Sequence, residues 1–353
     1  MARTRYMPLR KARLAAIAFT VAACAAVVAF TAFTATPTGR ALEYHSLDWR
    51  FATRGERPMP RDIVVVGIDN ATDQAIGDRF PYRRSVYADA IDNLTAAGAA
   101  AIVLDIQFLE SPDIPTAASD DGKLLNAIAR SQKVVLATAP DGTNTTPLPF
   151  RGLKTTDGND ALAASGAVVG VVPQLVTSDG VIRWIRPREH THSALGVPID
   201  PSESCPRCIT LPSLALAATA VATNTSPFEA RGLPDKMMIN WRGAAASYAS
   251  TPTEQGNRVR LHNFAETTAK GVDLSWAHGA IVLIGATDPV SQDLHETPFQ
   301  DKSAKSSRMP GVEIHAHAIA TLADKSFIVS ESPRAAGIML PLLVVLRWAA
   351  CTF

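Results

Sequence analysis

The stretch DIVVVGID, Asp62–Asp69, places five β-branched residues and one glycine between two aspartates. It has no apolar–polar alternation. A strand of this kind is covered on both faces, as in a parallel sheet under helices, and does not lie half-exposed in an antiparallel one. The residues that follow repeat the theme. SVYADAIDNLTAAGA carries Val86, Ala90, Ile91, Leu94 and Ala97 at helical spacing, and Gly98 marks its end. AAIVLDIQF, Ala100–Phe108, is a second buried strand. SDDGKLLNAIARSQ offers Ser119 or Asp120 as an N-cap, then Leu124, Leu125 and Ile128 along one face. KVVLATA, Lys133–Ala139, is a third strand. Strand and helix alternating in this way predict an α/β fold, a mostly parallel sheet with crossover helices.

Further along, GAVVGVVPQLVTSDGVIRWIRP reads as two strands joined at Asp179–Gly180, because Asp-Gly is a strong hairpin signal. LPSLALAATAVATN is a core helix too short to cross a bilayer, and DKMMINWRG is a strand candidate. GAIVLIGAT, Gly279–Thr287, is another buried strand, and GVEIHAHAIATLAD, Gly311–Asp324, is the last large helix. The turn-rich segment near residues 141–160 is a surface loop or an insertion.

Outside this core the chain changes character. No charged residue occurs from Leu14 to Gly39, and Arg3, Arg5, Arg10, Lys11 and Arg13 precede that run. About 20 apolar residues span a bilayer as a helix, and clustered basic residues stay on the cytoplasmic side. A cleaved signal peptide is the competing reading, but its apolar core would be shorter, about 7–15 residues. The expected organisation is a cytoplasmic basic N-terminus over 1–13, a transmembrane anchor over 14–36, an extracytoplasmic domain over 40–330, and a second membrane helix, cut short, beginning within 335–353. The expected location is therefore the plasma membrane, or inner membrane, with the main domain outside.

A net charge of +1 gives no basic footprint for nucleic acid. No P-loop, dinucleotide fingerprint, nucleophile elbow or zincin motif occurs, so no catalytic residue, metal or cofactor is assigned. The pair Cys205 and Cys208, in CPRC, reads as a small local disulfide in an oxidising compartment; zinc would need two more ligands nearby. Ligands of open α/β sheets bind outside the carboxyl ends of the strands. That points to Asp69 and Asp105, and to Asp288 and Asp293 after the strand at Gly279–Thr287. The bland alternative makes Asp69 a cap and pairs Asp105 with one of Arg79, Arg83 and Arg84. Two residues apart on a helix means about 200°, so His315 and His317 do not share a metal. His315 falls on the apolar face as a hydrogen-bonded core histidine, and His317 faces Glu313 on the other side.

Taken in order, DIVVVGIDNATDQAIGDRFPYRRSVYADAIDNLTAAGAAAIVLDIQF, TSDGVIRWIRP, LPSLALAA, AIVLIGATDPVSQDLHETP and MPGVEIHAHAIATL resemble the second type of CHASE domain, the cyclase- and histidine-kinase-associated sensory extracellular domain. The resemblance implies a bacterial receptor input module, followed elsewhere by a nucleotide cyclase or a kinase, which is not seen in this chain. Its expected partners are the lipid bilayer, a small-molecule or envelope signal and a second copy of the chain. Asp69, Arg84, Asp105, Asp288, Asp293 and His315 are the ligand-binding candidates. The rival readings are an exported metal-dependent hydrolase using Asp69, Asp105 and a histidine, and a structural envelope protein without a ligand.

Overall fold

The computed structural model describes residues 9–108, 119–138, 165–172, 177–192, 208–247, 256–288, 293–299 and 308–328. Cys205, the segment near 141–160 and the apolar run from Ala335 lie outside these residues, as does the side chain of Cys208.

The chain divides into a unit that includes residues up to Arg50 and a second unit, Phe51–Ile328. In the first, α1 spans Leu9–Ala35 and α2 begins at Pro37 and runs to Arg54. Within α1, Ile17–Ala35 is long and apolar enough to cross a membrane, with a mean hydropathy of 2.1. Leu14, Ile17 and Phe30 are exposed on it.

The second unit is built on a six-stranded sheet. In chain order it contains β1 (Ile63–Ile68), α3 (Asn70–Ile76), α4 (Arg84–Ala96), β2 (Ala101–Leu104), α5 (Asp120–Ser131), β3 (Val134–Thr138) and β4 (Val168–Val171). Short strands β5 (Trp184–Ile185), β6 (Arg188–His192) and β7 (Cys208–Pro212) come next, then α6 (Leu214–Ala222) and β8 (Met237–Met238). The series ends with β9 (Arg260–Asn263), α7 (Phe264–Thr268), β10 (Ile281–Ala286), β11 (Leu294–His295), β12 (Met309–Pro310) and α8 (Gly311–Ala323). The main sheet has the order β4-β3-β2-β10-β1-β9, and every pairing in it is parallel.

Burial explains the continuous apolar runs. Val64, Val66, Ile68, Ile102, Leu104, Val282 and Ile284 pack with α4, α5 and Phe264 of α7 on one face. The alternate residues, Val65, Val103 and Leu283, are also fully buried, and α6 and α8 cover that second face. Two glycines permit the close approach. A Cβ at Gly170 would lie 2.6 Å from the Leu214 Cα of α6, and one at Gly285 would lie 2.8 Å from the Val312 Cβ of α8.

Local chemistry sets the helix boundaries. Ser119 caps α5 by accepting from the Gly122 amide at 3.1 Å, and Ser213 caps α6 by accepting from Leu216 at 3.2 Å. Gly98 takes a positive φ of 85° after α4, where a side chain would be strained.

Among the described residues, the expected hairpin at Asp179–Gly180 does not form. The strand before it, β4, is the parallel edge of the main sheet, and Trp184–Ile185 pairs antiparallel with β8 instead. The Asp-Gly turn is present. Asp179 accepts from buried Arg183 at 2.8 and 3.0 Å and from the Val181 amide at 3.2 Å. These bonds outweigh burial and hold its carboxyl down at about 2. The strand candidate at 235–243 shortens to two residues, and Ile239–Ser247 continues as an irregular strap.

Candidate functional site

In a parallel sheet all carboxyl ends lie on one side, and a crevice opens where neighbouring strands send their chains to opposite faces. Here β1 and β2 continue into α4 and α5 on one face. Between them, β10 continues through β11 and β12 to α8 on the other. Such switch points therefore flank the end of β10 on both sides.

On the β1 side lies a cleft of about 420 Å³ lined by Ile68, Asp69, Asn70, Asp73, Arg79, Phe80, Ala286 and Asp288. Asp69 is held in place as the N-cap of α3. It accepts from the Thr72 amide at 2.9 Å while Thr72 Oγ1 accepts from the Asp69 amide at 3.1 Å. Asn263, at the end of β9, donates to Asp69 at 3.1 Å. Asp73 accepts from the Tyr82 hydroxyl at 2.5 Å and from the Phe80 amide at 3.2 Å. The floor is thus a set of oriented carboxylates beside the apolar edges of Ile68, Ala286 and Phe80.

On the β2 side, Asp105 follows its strand directly and its carboxylate stands 3.9 Å from His315 Nε2, beyond hydrogen-bond range. Both side chains are about nine-tenths buried, at 10% and 7% exposure. The histidine expected to be a hydrogen-bonded core residue is therefore buried but faces a carboxyl without bonding it. Of the three arginines offered as partners for Asp105, Arg84 instead forms an ion pair with Asp121 at the start of α5 and lies over the Phe108 ring, and Arg79 lines the cleft on the β1 side. Near the Asp105–His315 pair, Asp293 accepts from His295 Nε2 at 2.8 Å, and its backbone carbonyl accepts from the Gly311 amide at 3.0 Å.

Burial withholds charge from both members of the pair. It pushes the Asp105 carboxyl up to about 8, with help from the negative charge of Asp293. It pulls the His315 imidazole down to about 4; Asp293 opposes this shift and His295 adds to it. Asp293 itself stays below the usual carboxylate range, because the His295 hydrogen bond and charge outweigh its burial.

These shifts give opposite pH dependences. A carboxyl whose pKa rises on folding contributes stability below about 4, and loses it as pH climbs through about 8. A histidine whose pKa falls on folding loses its contribution as pH drops from about 6.5 through about 4. Asp105→Asn removes only the first. The variant is expected to gain on the wild type in melting temperature between pH 5 and 8, with the gap widening as pH rises. A gap that does not change with pH would show that Asp105 ionises normally.

Only the rival hydrolase reading brought Asp69 and Asp105 together in one site, with a histidine. The sheet separates them: β10 lies between their strands, which sets them roughly 10 Å apart at the usual strand spacing. Among the described residues, no three His, Cys, Asp or Glu side chains are grouped to hold a metal ion. Asp69 and Asp288 share the cleft, Asp105, Asp293 and His315 form a buried group on the other side of β10, and Arg84 belongs to the α4–α5 joint.

The residues that sequence reasoning missed lie on α8. Glu313 and His317, read as a local pair on an outward face, are buried at 0% and 3% exposure. Glu313 accepts from the Ala246 and Ser247 amides at 2.7 and 3.1 Å, and His317 Nδ1 accepts from the Arg242 amide at 3.2 Å. The strap covers this face, and only the absence of any charged residue from Gly311 to Leu322 other than Glu313 hinted at it.

Comparison with known proteins follows the same direction. No match was found among curated proteins or among solved structures. The family model described as the CHASE2 domain matches residues 22–352, and CHASE2 domains are sensory extracellular domains of signalling receptors. An α/β sheet with a cleft at its carboxyl end, following an apolar N-terminal helix in sequence, is thus accounted for: this chain belongs to the CHASE2 domain family.

Proposed function

We propose that the chain is a membrane-anchored input domain, with its sheet outside the cytoplasm, that takes a small polar signal molecule at the carboxyl ends of its strands. The observation that carries this reading is the cleft at the point where β1 and β10 send their chains to opposite faces. The family supplies the sensory role, and the uncharged helix over Ile17–Ala35, preceded by basic residues, supports the anchor and its orientation. The signal acts only through a difference in its affinity for two states of the domain. A cyclase or kinase module on the cytoplasmic side is the expected output. The hydrolase reading is not favoured, because β10 stands between its two aspartates.

Two measurements test this. Alkaline phosphatase fused after Gly55 is expected to be active, since it folds only outside the cytoplasm; an inactive fusion would reverse the topology. In nanodiscs, the full chain is then screened by thermal unfolding against small polar molecules. A binder at about 100 times its Kd adds roughly 2.7 kcal/mol. Ala286→Trp, which fills the cleft, is expected to abolish that shift and leave the unliganded melting temperature nearly unchanged. A shift that survives in Ala286→Trp places the signal elsewhere.

A further inference from the structure

We infer that the strap Ile239–Ser247 is a latch through which α8 grips the segment that joins the sensor to its membrane helix. The inference rests on reading the chain as a sensory input domain.

Three polar residues of α8, Glu313, His317 and Thr321, recur every four positions and so form one stripe. Each ends on the backbone of the strap. Thr321 Oγ1 accepts from the Asn240 amide at 3.0 Å, His317 accepts from Arg242, and Glu313 accepts from Ala246 and Ser247. The Trp241 ring also lies against the His317 ring, with centroids 5.2 Å apart. Four strap amides, those of Asn240, Arg242, Ala246 and Ser247, are thus satisfied by side chains of a single helix, so a movement of that helix moves the strap.

The other edge of the strap holds the residues that follow the membrane helix. Arg54, the last residue of α2, donates to Asn240 Oδ1 at 2.7 Å and to the Trp241 carbonyl. The Arg57 amide donates to the Arg242 carbonyl at 2.6 Å, and the Arg242 guanidinium returns a bond to the Pro58 carbonyl at 2.8 Å. Glu56 accepts from the Ala244 amide at 3.3 Å. Phe51, one turn earlier, is buried 6.2 Å from the Phe299 ring.

The opposite side of α8 carries His315, which faces the buried Asp105 just past the end of β2. One rigid helix therefore touches the sheet's carboxyl end on one side and the latch on the other. A signal that turns or shifts α8 would pull on Arg54–Pro58.

The test is hydrogen exchange on the full chain in nanodiscs, without any ligand. Its failure is therefore distinct from failure of the cleft as the signal site. His317→Phe keeps the ring against Trp241 and removes the acceptor for Arg242. Peptides covering 239–247 and 54–59 are expected to lose protection together, by about fivefold, as for one lost hydrogen bond. A peptide over β10 should stay unchanged. Loss confined to 239–247 overturns the latch. If His317→Phe loosens β10 as well, the near-isosteric Thr321→Val decides by the same criterion.

Discussion

Glu313→Ala is expected to destabilise the sensor by about 4 kcal/mol, the largest effect of any single change on α8. The carboxylate is fully buried and accepts two strap amides. Removing it leaves two N–H groups without an acceptor, at about 1–3 kcal/mol each, and adds a small cavity. Burial raises the Glu313 pKa, against the lowering effect of those bonds and of Arg258. The loss is therefore mainly one of acceptors and less one of charge. Glu313→Gln keeps one acceptor oxygen but turns an NH₂ toward the second amide, so it should recover about half. Urea unfolding of the full chain, followed by tryptophan fluorescence, measures both. A cost under about 1 kcal/mol for the alanine variant would mean that water replaces the carboxylate and that the strap is not sealed.

Asp121→Ala is expected to cost about 3 kcal/mol. Asp121 and Arg84 have side chains 6% and 11% exposed, and they tie the first turns of α5 and α4 together. Without its carboxylate the guanidinium stays largely buried, beside the Phe108 ring at 5.5 Å. Leaving one charge of a buried pair behind costs more than replacing both partners with apolar groups. The double variant Arg84→Met/Asp121→Leu should therefore recover most of the loss. Equal destabilisation of the single and double variants in thermal melts would show that the loss comes from the missing ion pair and not from a stranded charge. This pair was legible only as two isolated charges, because its partners are 37 positions apart.

What the sequence by itself determined was the kind of sheet and most of its pieces. Runs such as Ile63–Ile68 and Ile281–Ala286 are apolar throughout because helices cover both faces, and only a parallel sheet demands that. Ser119 and Gly98 mark helix ends by local chemistry that needs no tertiary partner. The family resemblance was legible for the same reason, since it rests on these phrases in order.

The tertiary structure alone decided the strand order. Parallel strands carry interchangeable apolar patterns, so nothing in Ile281–Ala286 announces that it inserts between β1 and β2 and parts Asp69 from Asp105. It also decided what the histidines do. The helical period placed His315 and His317 on opposite faces, but it assigns only one face to a core. That both faces are covered depends on the strap Ile239–Ser247, some 70 residues earlier in the chain. Its backbone amides leave no side-chain signature, and hydrogen bonds to a distant backbone carry no periodicity to read.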